Sequence, residues 1–228
     1  GDAARTTVLS QSIAIGSGNS PGQGAWARGD QSISIGSDTE ATGDSSIAIG
    51  GDDLDSVAGS NATYIKKTFD KNGNQTGTTT VTKNLNQLFG DLTGRGAILN
   101  ANTTIDGVQY SRYKETEAGQ GAVALGVKAI SGDIALAIGT MSEARGINSV
   151  AIGTGAQTPQ ANAVAIGGGS TTNGIQGRQV TDADIALSDG TTMTFTNFAG
   201  AANVEEGSMV SFGRLGRERQ LKNIAPGE

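Results

Sequence analysis

A fourteen-residue period governs this chain. A five-residue core recurs as SIAIG at 12–16, SISIG at 32–36, SIAIG at 46–50, AVALG at 122–126, ALAIG at 135–139, SVAIG at 149–153 and AVAIG at 163–167, with a looser copy, MVSFG, ending at Gly213. The closing glycines stand 20, 14, 76, 13, 14, 14 and 46 residues apart, so the period is interrupted by three longer gaps. A second glycine precedes the closing one by seven residues in five of the seven good copies: Gly29, Gly43, Gly119, Gly132 and Gly146. Tight corners need positive-φ or crowded backbone, which glycine supplies, so two glycines half a period apart mark two turns and leave two short strands per coil. The pattern predicts an all-β solenoid of narrow, two-sided coils.

Alternation within the core is strict. Ile13/Ile15, Ile33/Ile35, Ile47/Ile49, Val123/Leu125, Leu136/Ile138, Val150/Ile152 and Val164/Ile166 point one way and are expected to stack as two aliphatic ladders inside the coil. The intervening residues, Ala14, Ser34, Ala48, Ala124, Ala137, Ala151 and Ala165, are all small, as are the residues that open each core. A solvent-facing strand would carry Thr, Lys or Glu. The small columns are therefore expected to face a closely approaching second surface, the alternative being a solvated low-complexity face. One strip of coils buries little against the entropy of ordering it, and symmetric association covers its faces without new sequence. Ala14, Ala48, Ala124, Ala137, Ala151 and Ala165 are the expected inter-chain contacts.

Composition removes much chemistry. Glycine is 36 of 228 residues, aromatics are 4%, and histidine and cysteine are absent, which excludes a histidine-based triad, a His/Cys metal site and a disulfide. No catalytic residue, metal or cofactor is expected. A net charge of −6 suits neither nucleic acid nor an anionic membrane. No run approaches the ~20 apolar residues that span a bilayer, and the opening GDAARTTVLS lacks a charged-then-apolar signal pattern, so direct membrane insertion by this segment is not expected.

The repeat ending in S-[IV]-A-[IV]-G, with A-x-G seven residues earlier (Ala27-Arg28-Gly29, Ala41-Thr42-Gly43, Ala144-Arg145-Gly146), resembles the head of YadA-like trimeric autotransporter adhesins. Residues 216–227, GRERQLKNIAPG, resemble the start of the neck that joins such heads to a stalk. The resemblance implies a left-handed parallel β-roll, three copies of which form a homotrimeric, non-catalytic head displayed beyond a bacterial outer membrane. Its implied partners are host matrix proteins of the collagen, fibronectin and laminin class, cell-surface receptors or other surfaces. The chain departs from the pattern in a thirteen-residue coil, in Gln160 at a glycine position, and in two stretches that are not head repeats.

The expected organisation is head repeats at 1–50, an insertion at 51–118, head repeats at 119–167, a second insertion at 168–207, and a last strand with the neck start at 208–228. In the first insertion, Thr63 to Thr82 reads as a hairpin turning near Asn72-Gly73, and Leu85, Leu88, Phe89 and Leu92 follow the spacing of a short amphipathic helix. In the second, Ile185 and Leu187, Asp189-Gly190, then Met193 and Phe195 form another hairpin signature. Gly51-Asp52-Asp53-Leu54-Asp55 is read as an acidic turn, because no G-G-x-G-x-D calcium repeat occurs.

Aromatic and cationic residues gather at the ends of the first insertion: Tyr64, Lys66, Lys67, Phe69, Tyr110, Arg112 and Tyr113. Together with Trp26, the single tryptophan, they are the ligand-contact candidates. A solvated hairpin would give the same list, and Trp26 could equally staple a loop. The rival function is a trimeric tail-spike-like solenoid that binds or cleaves polysaccharide, since glycosidic cleavage needs only two carboxylates; Glu40, Glu115, Glu117 and Glu143 show no recognisable pairing in the sequence.

Overall fold

The computed structural model of the protein describes residues 4–7, 11–20, 22–197 and 204–224. Each pentapeptide core becomes a strand, and the strands Ile13–Ile15, Ile33–Gly36, Ile47–Gly50, Val123–Leu125, Leu136–Ile138, Val150–Ile152, Val164–Ile166 and Val210–Ser211 stack into one parallel sheet. Like residues sit on like: Ile47 pairs with Val123, Leu136 with Val150 and Ala137 with Ala151. The other half of each coil builds a second parallel sheet from Arg5–Thr6, Trp26–Ala27, Thr39–Ala41, Thr116–Ala118, Ile130–Ser131, Glu143–Ala144 and Gln157–Thr158. This is a β-roll. Thr116–Ala118 already pairs with Thr39–Ala41 and follows the coil register, so the roll resumes at Thr116, within the stretch read as inserted.

The side of each strand that faces inward is the reverse of the expectation. Ala48, Ala124, Ala137, Ala151 and Ala165 are completely buried within a single chain, and Ala14, in an end coil, is half-buried. They meet an equally small column from the second sheet, Ala27, Ala41, Ala118, Ser131, Ala144 and Thr158, all buried. A fourteen-residue coil brings its two sheets too close for leucine or isoleucine, and facing sheets filled with larger residues would stand ~10 Å apart. Only Ala, Ser and Thr fit. Two of the interior hydroxyls are bonded within the coil, Ser34 Oγ donating to the Thr39 carbonyl at 2.8 Å and Thr158 Oγ1 to Ser149 Oγ at 3.0 Å, whereas Ser131 Oγ has no partner. The Ile/Val ladders consequently point out of the roll. Ala48, Ala124, Ala137, Ala151 and Ala165 are therefore not available as inter-chain contacts, because their methyls are already enclosed within the chain; Ala14 alone of the six keeps some exposure.

Glycine holds the corners for two distinct reasons. Gly139 has a φ of +124°, a conformation that L side chains rarely adopt. Gly146 has ordinary dihedrals, but a Cβ there would lie 2.0 Å from the Gln160 carbonyl oxygen of the next coil.

The first insertion folds onto the outer surface of the second sheet. Helix α1 (Asp55–Gly59) leads to a hairpin of Asn61–Phe69 and Gln75–Asn84, then to α2 (Leu85–Thr93). The Asn84 side chain caps α2 by accepting from the Gln87 N–H at 2.8 Å, and Gly94 ends it in the left-handed region. Phe89 of its apolar face joins Leu54, Ala58, Ile98, Leu99, Tyr110 and Met141 in a core separate from the roll interior, with Leu85 packed against it. Leu92 stays exposed. The second insertion carries a hairpin of Asp182–Ala186 and Thr192–Thr196. The neck-like motif is described as far as residue 224; residues 225–227 lie outside the described residues.

Candidate interaction surfaces

The outer face of the core-repeat sheet is an aliphatic surface that is exposed or half-exposed among the described residues. Ile13 is 49% exposed, Ile15 58%, Ile49 37% and Ile166 38%, with Ile33, Ile35, Leu136, Ile138, Val150 and Ile152 half-buried between them. Isolated exposed aliphatics are normal on any protein, but an uninterrupted apolar face running the length of a sheet marks an association surface. The sequence signal that would have found it is the smallness of both columns that face each other, which leaves no room inside for the ladders.

The second sheet is covered along its later coils by the first insertion, and the cover is pinned by buried charge. Glu143 receives an ion pair from Arg95 and another from Arg145 Nε at 2.7 Å; the Glu143 and Arg95 side chains are 3% and 6% exposed. Burial alone would push the Glu143 carboxyl up, but the Arg95 and Arg145 charges outweigh it and hold it below the usual range. Arg95 also donates to the Met141 carbonyl at 2.6 Å and lies over the Tyr110 ring. Tyr110 is buried, donates toward Glu143 and accepts from Gln157 Nε2 at 3.1 Å, so it closes this network and is unavailable to a ligand. Nearby, Lys128 is buried with its ammonium on the carbonyls of Leu99, Ser111 and Arg112, and burial lowers its pKa.

The other ligand-contact candidates are dispersed. Arg112 grips Asp55 through Nε at 2.8 and 2.9 Å and through Nη2, and Tyr113 adds a hydrogen bond to Asp55 at 3.2 Å. The hydrogen bonds from Arg112 hold the Asp55 carboxyl below its usual range. Tyr64 and Lys66 occupy one face of the long hairpin and Lys67 the other; Tyr64 and Phe69 are 37% and 59% exposed. Trp26 is stacked by two guanidinium groups, with Arg5 at 4.2 Å and Arg28 at 3.9 Å from its ring centre, and Arg28 is paired with Glu40. The indole is engaged by two cations of its own chain. It acts as a staple at the start of the roll.

The carboxylates weighed for polysaccharide cleavage are held by cations: Glu40 by Arg28, Glu115 and Glu117 by Lys114, Glu143 by Arg95 and Arg145. A different pair is close. Asp38 and Asp52 occupy the same corner one coil apart, and burial together with the Asp52 charge pushes Asp38 up to about 6. Among the described residues no group of three or more acidic side chains could hold a metal ion. In the acidic turn, Asp53 caps the Asp55 N–H at 2.7 Å and Asp55 is taken by Arg112.

The family of YadA head domain repeats matches residues 22–39, 27–52 and 131–156. Among solved structures, the collagen-binding domain of the Yersinia adhesin YadA is similar at 19% identity, over 95% of this chain and 88% of that chain, with a TM-score of 0.39. No curated protein matches. Among the described residues no helix is long and apolar enough to cross a membrane.

Proposed function

We propose that this YadA-like head domain is the non-catalytic adhesive tip of a bacterial surface protein, that it works as a homotrimer projecting from the outer membrane, and that it attaches to host extracellular matrix proteins or cell surfaces. One observation carries the reading: the core-repeat sheet keeps its Ile/Val ladders outside while the roll interior is filled with Ala, Ser and Thr. A partner must cover that face. Each aliphatic moved from half-exposed to buried contributes on the order of 1 kcal/mol, and the face repeats one coil after another, so the sum is large for any self-complementary arrangement. A closed ring of three copies meets the requirement with one kind of contact. The head repeats matched at 22–52 and 131–156 support the adhesive role.

Adhesion needs no reactive group. Weak contacts spread over three copies gain through effective concentration, and a stiff roll presents them together. The exposed hairpin residues Tyr64, Lys66, Lys67 and Phe69 and the exposed Tyr113 remain the contact candidates; Trp26, Tyr110 and Arg112 are occupied within the chain. The test has two parts. Light scattering should give the mass of three chains at micromolar concentration, and the purified head should bind at least one of immobilised collagen, fibronectin and laminin saturably. A monomer would remove the trimer. Absence of matrix binding, with turnover of a bacterial capsule abolished by changing one carboxylate, would replace adhesion by the tail-spike reading.

A further inference from the structure

The two insertions offer each other complementary, uncovered surfaces. Between α2, the base of the long hairpin and the neck start lies a groove of about 790 Å³. Its floor is apolar, with Val57, Leu85, Leu88 and Leu92; Val57 and Leu92 are 42% and 48% exposed. Its rim is net cationic, with Arg214, Arg217 and Arg219 against the single carboxylate of Glu218. Arg214 and Arg217 of the neck line it, beside Tyr64 of the hairpin, which carries four lysines and one aspartate between residues 61 and 84. More than a hundred residues separate these basic segments in sequence, and only the fold brings them to one place.

The hairpin of the second insertion has the opposite character. Ala183, Ile185 and Leu187 share a face with Met193 and Phe195, and Ile185, Leu187, Met193 and Phe195 are 50%, 38%, 47% and 46% exposed. Residues 182–196 contain three aspartates and no basic residue. A two-stranded hairpin with one bare apolar face is marginal in water and gains most of its stability from whatever covers that face.

The corners of the roll decide who covers it. The groove opens along one corner, lined by Thr140, Thr154, Gly168 and Gly169 of three successive coils. The second insertion is rooted at the opposite corner: Gln160 Nε2 donates to the Thr172 and Ile175 carbonyls, Asn162 Nδ2 to Glu205, and Gly177 N–H to the Glu206 carbonyl at 3.0 Å. Around a threefold ring, one corner of each copy faces the other corner of the next.

From this arrangement, which rests on the trimer proposed above, we infer that the 182–196 hairpin of each copy docks its apolar face into the groove of α2, long hairpin and neck on the neighbouring copy. The contact is a clasp that links the two insertions between subunits and locks the head at its neck end. The aspartates act at range on the arginine rim, within a screening length of ~8–10 Å, and the apolar face supplies the seat.

The absence of cysteine makes the test clean. Leu92→Cys and Phe195→Cys together, treated with a short bismaleimide, should yield a covalently linked trimer as the main band on a denaturing gel, whereas each single variant should run as monomer. A protein that keeps the mass of three chains in solution yet gives no cross-link, or only an intrachain one, overturns the clasp and leaves the trimer standing; a monomeric mass removes both. If the double variant does not fold, Phe195→Ser decides. The clasp predicts a melting temperature several degrees lower, because a seated side chain is lost, and an unchanged melting temperature at this exposed position overturns it.

Discussion

Arg95, just beyond α2, is ion-paired with Glu143 on the outer face of the roll, and both side chains are almost wholly buried, at 6% and 3% exposure. The pair joins the insertion to the repeats across 48 residues of sequence. Taking two charges out of water offsets much of their attraction, so such a pair specifies position more than it adds stability, whereas removing Arg95 leaves the buried Glu143 carboxylate to Arg145 alone. Arg95→Met removes one of the two cations on Glu143 and should lower stability by about 1–3 kcal/mol, read as a denaturation midpoint. Arg95→Met with Glu143→Met should recover most of it. A double variant no better than the single would show that the charge is not what holds the insertion in place.

The Asp38–Asp52 corner predicts a stability that changes with pH. Asp38 has its pKa raised from 3.8 to about 6 by burial and the Asp52 charge. Between those values the folded chain holds a proton that the unfolded chain has released, so this corner gains stability as pH falls through about 6 and loses it as pH rises. Asp38→Asn should raise the melting temperature at pH 7.5 and reduce the difference between pH 5 and pH 7.5. A variant that melts lower at pH 7.5, or keeps the parent's pH slope, would contradict the shared-proton arrangement.

Opposite faces of one strand should respond to opposite insults. Ala137 is fully enclosed, and Ala137→Leu overpacks a coil with no spare volume, which should cost about 1–3 kcal/mol or more and disrupt folding of the chain itself. Ile138 points outward, so Ile138→Asp should leave a folded roll by circular dichroism and reduce the mass toward one chain. Equal behaviour of the two variants would mean that Ala137 and Ile138 do not lie on opposite sides of the roll wall.

Shortening the first insertion tests its structural share. Replacing residues 53–114 with a brief turn keeps the Ile47–Val123 and Glu40–Glu117 pairings that join the coils directly. It also uncovers Met141 and leaves Glu143 with Arg145 alone. The shortened chain should form a roll that melts several degrees below the parent. Undiminished melting would make the insertion a passenger on the repeats.

The sequence by itself determined the period, the corners and the strand register. A five-residue core closing on glycine every fourteenth residue can stack only in like-on-like register, and the long hairpin and α2 announced themselves through Asn72-Gly73 and the spacing of Leu85, Leu88, Phe89 and Leu92. What the sequence left open was which face of each strand is inside. Alternation of period two separates Ile138 from Ala137 but assigns neither to the core, and the habit of placing the larger residue inside gave the wrong answer. The distance between the two sheets decides, and it exists only in the folded coil, where the Ala/Ser/Thr columns of both sheets leave no volume for isoleucine. The same holds for Glu143, Tyr110 and Trp26. Their partners Arg95, Gln157 and, for the indole, Arg5 are chosen by which coil stacks on which and by where the insertion folds back, and no local spacing encodes that.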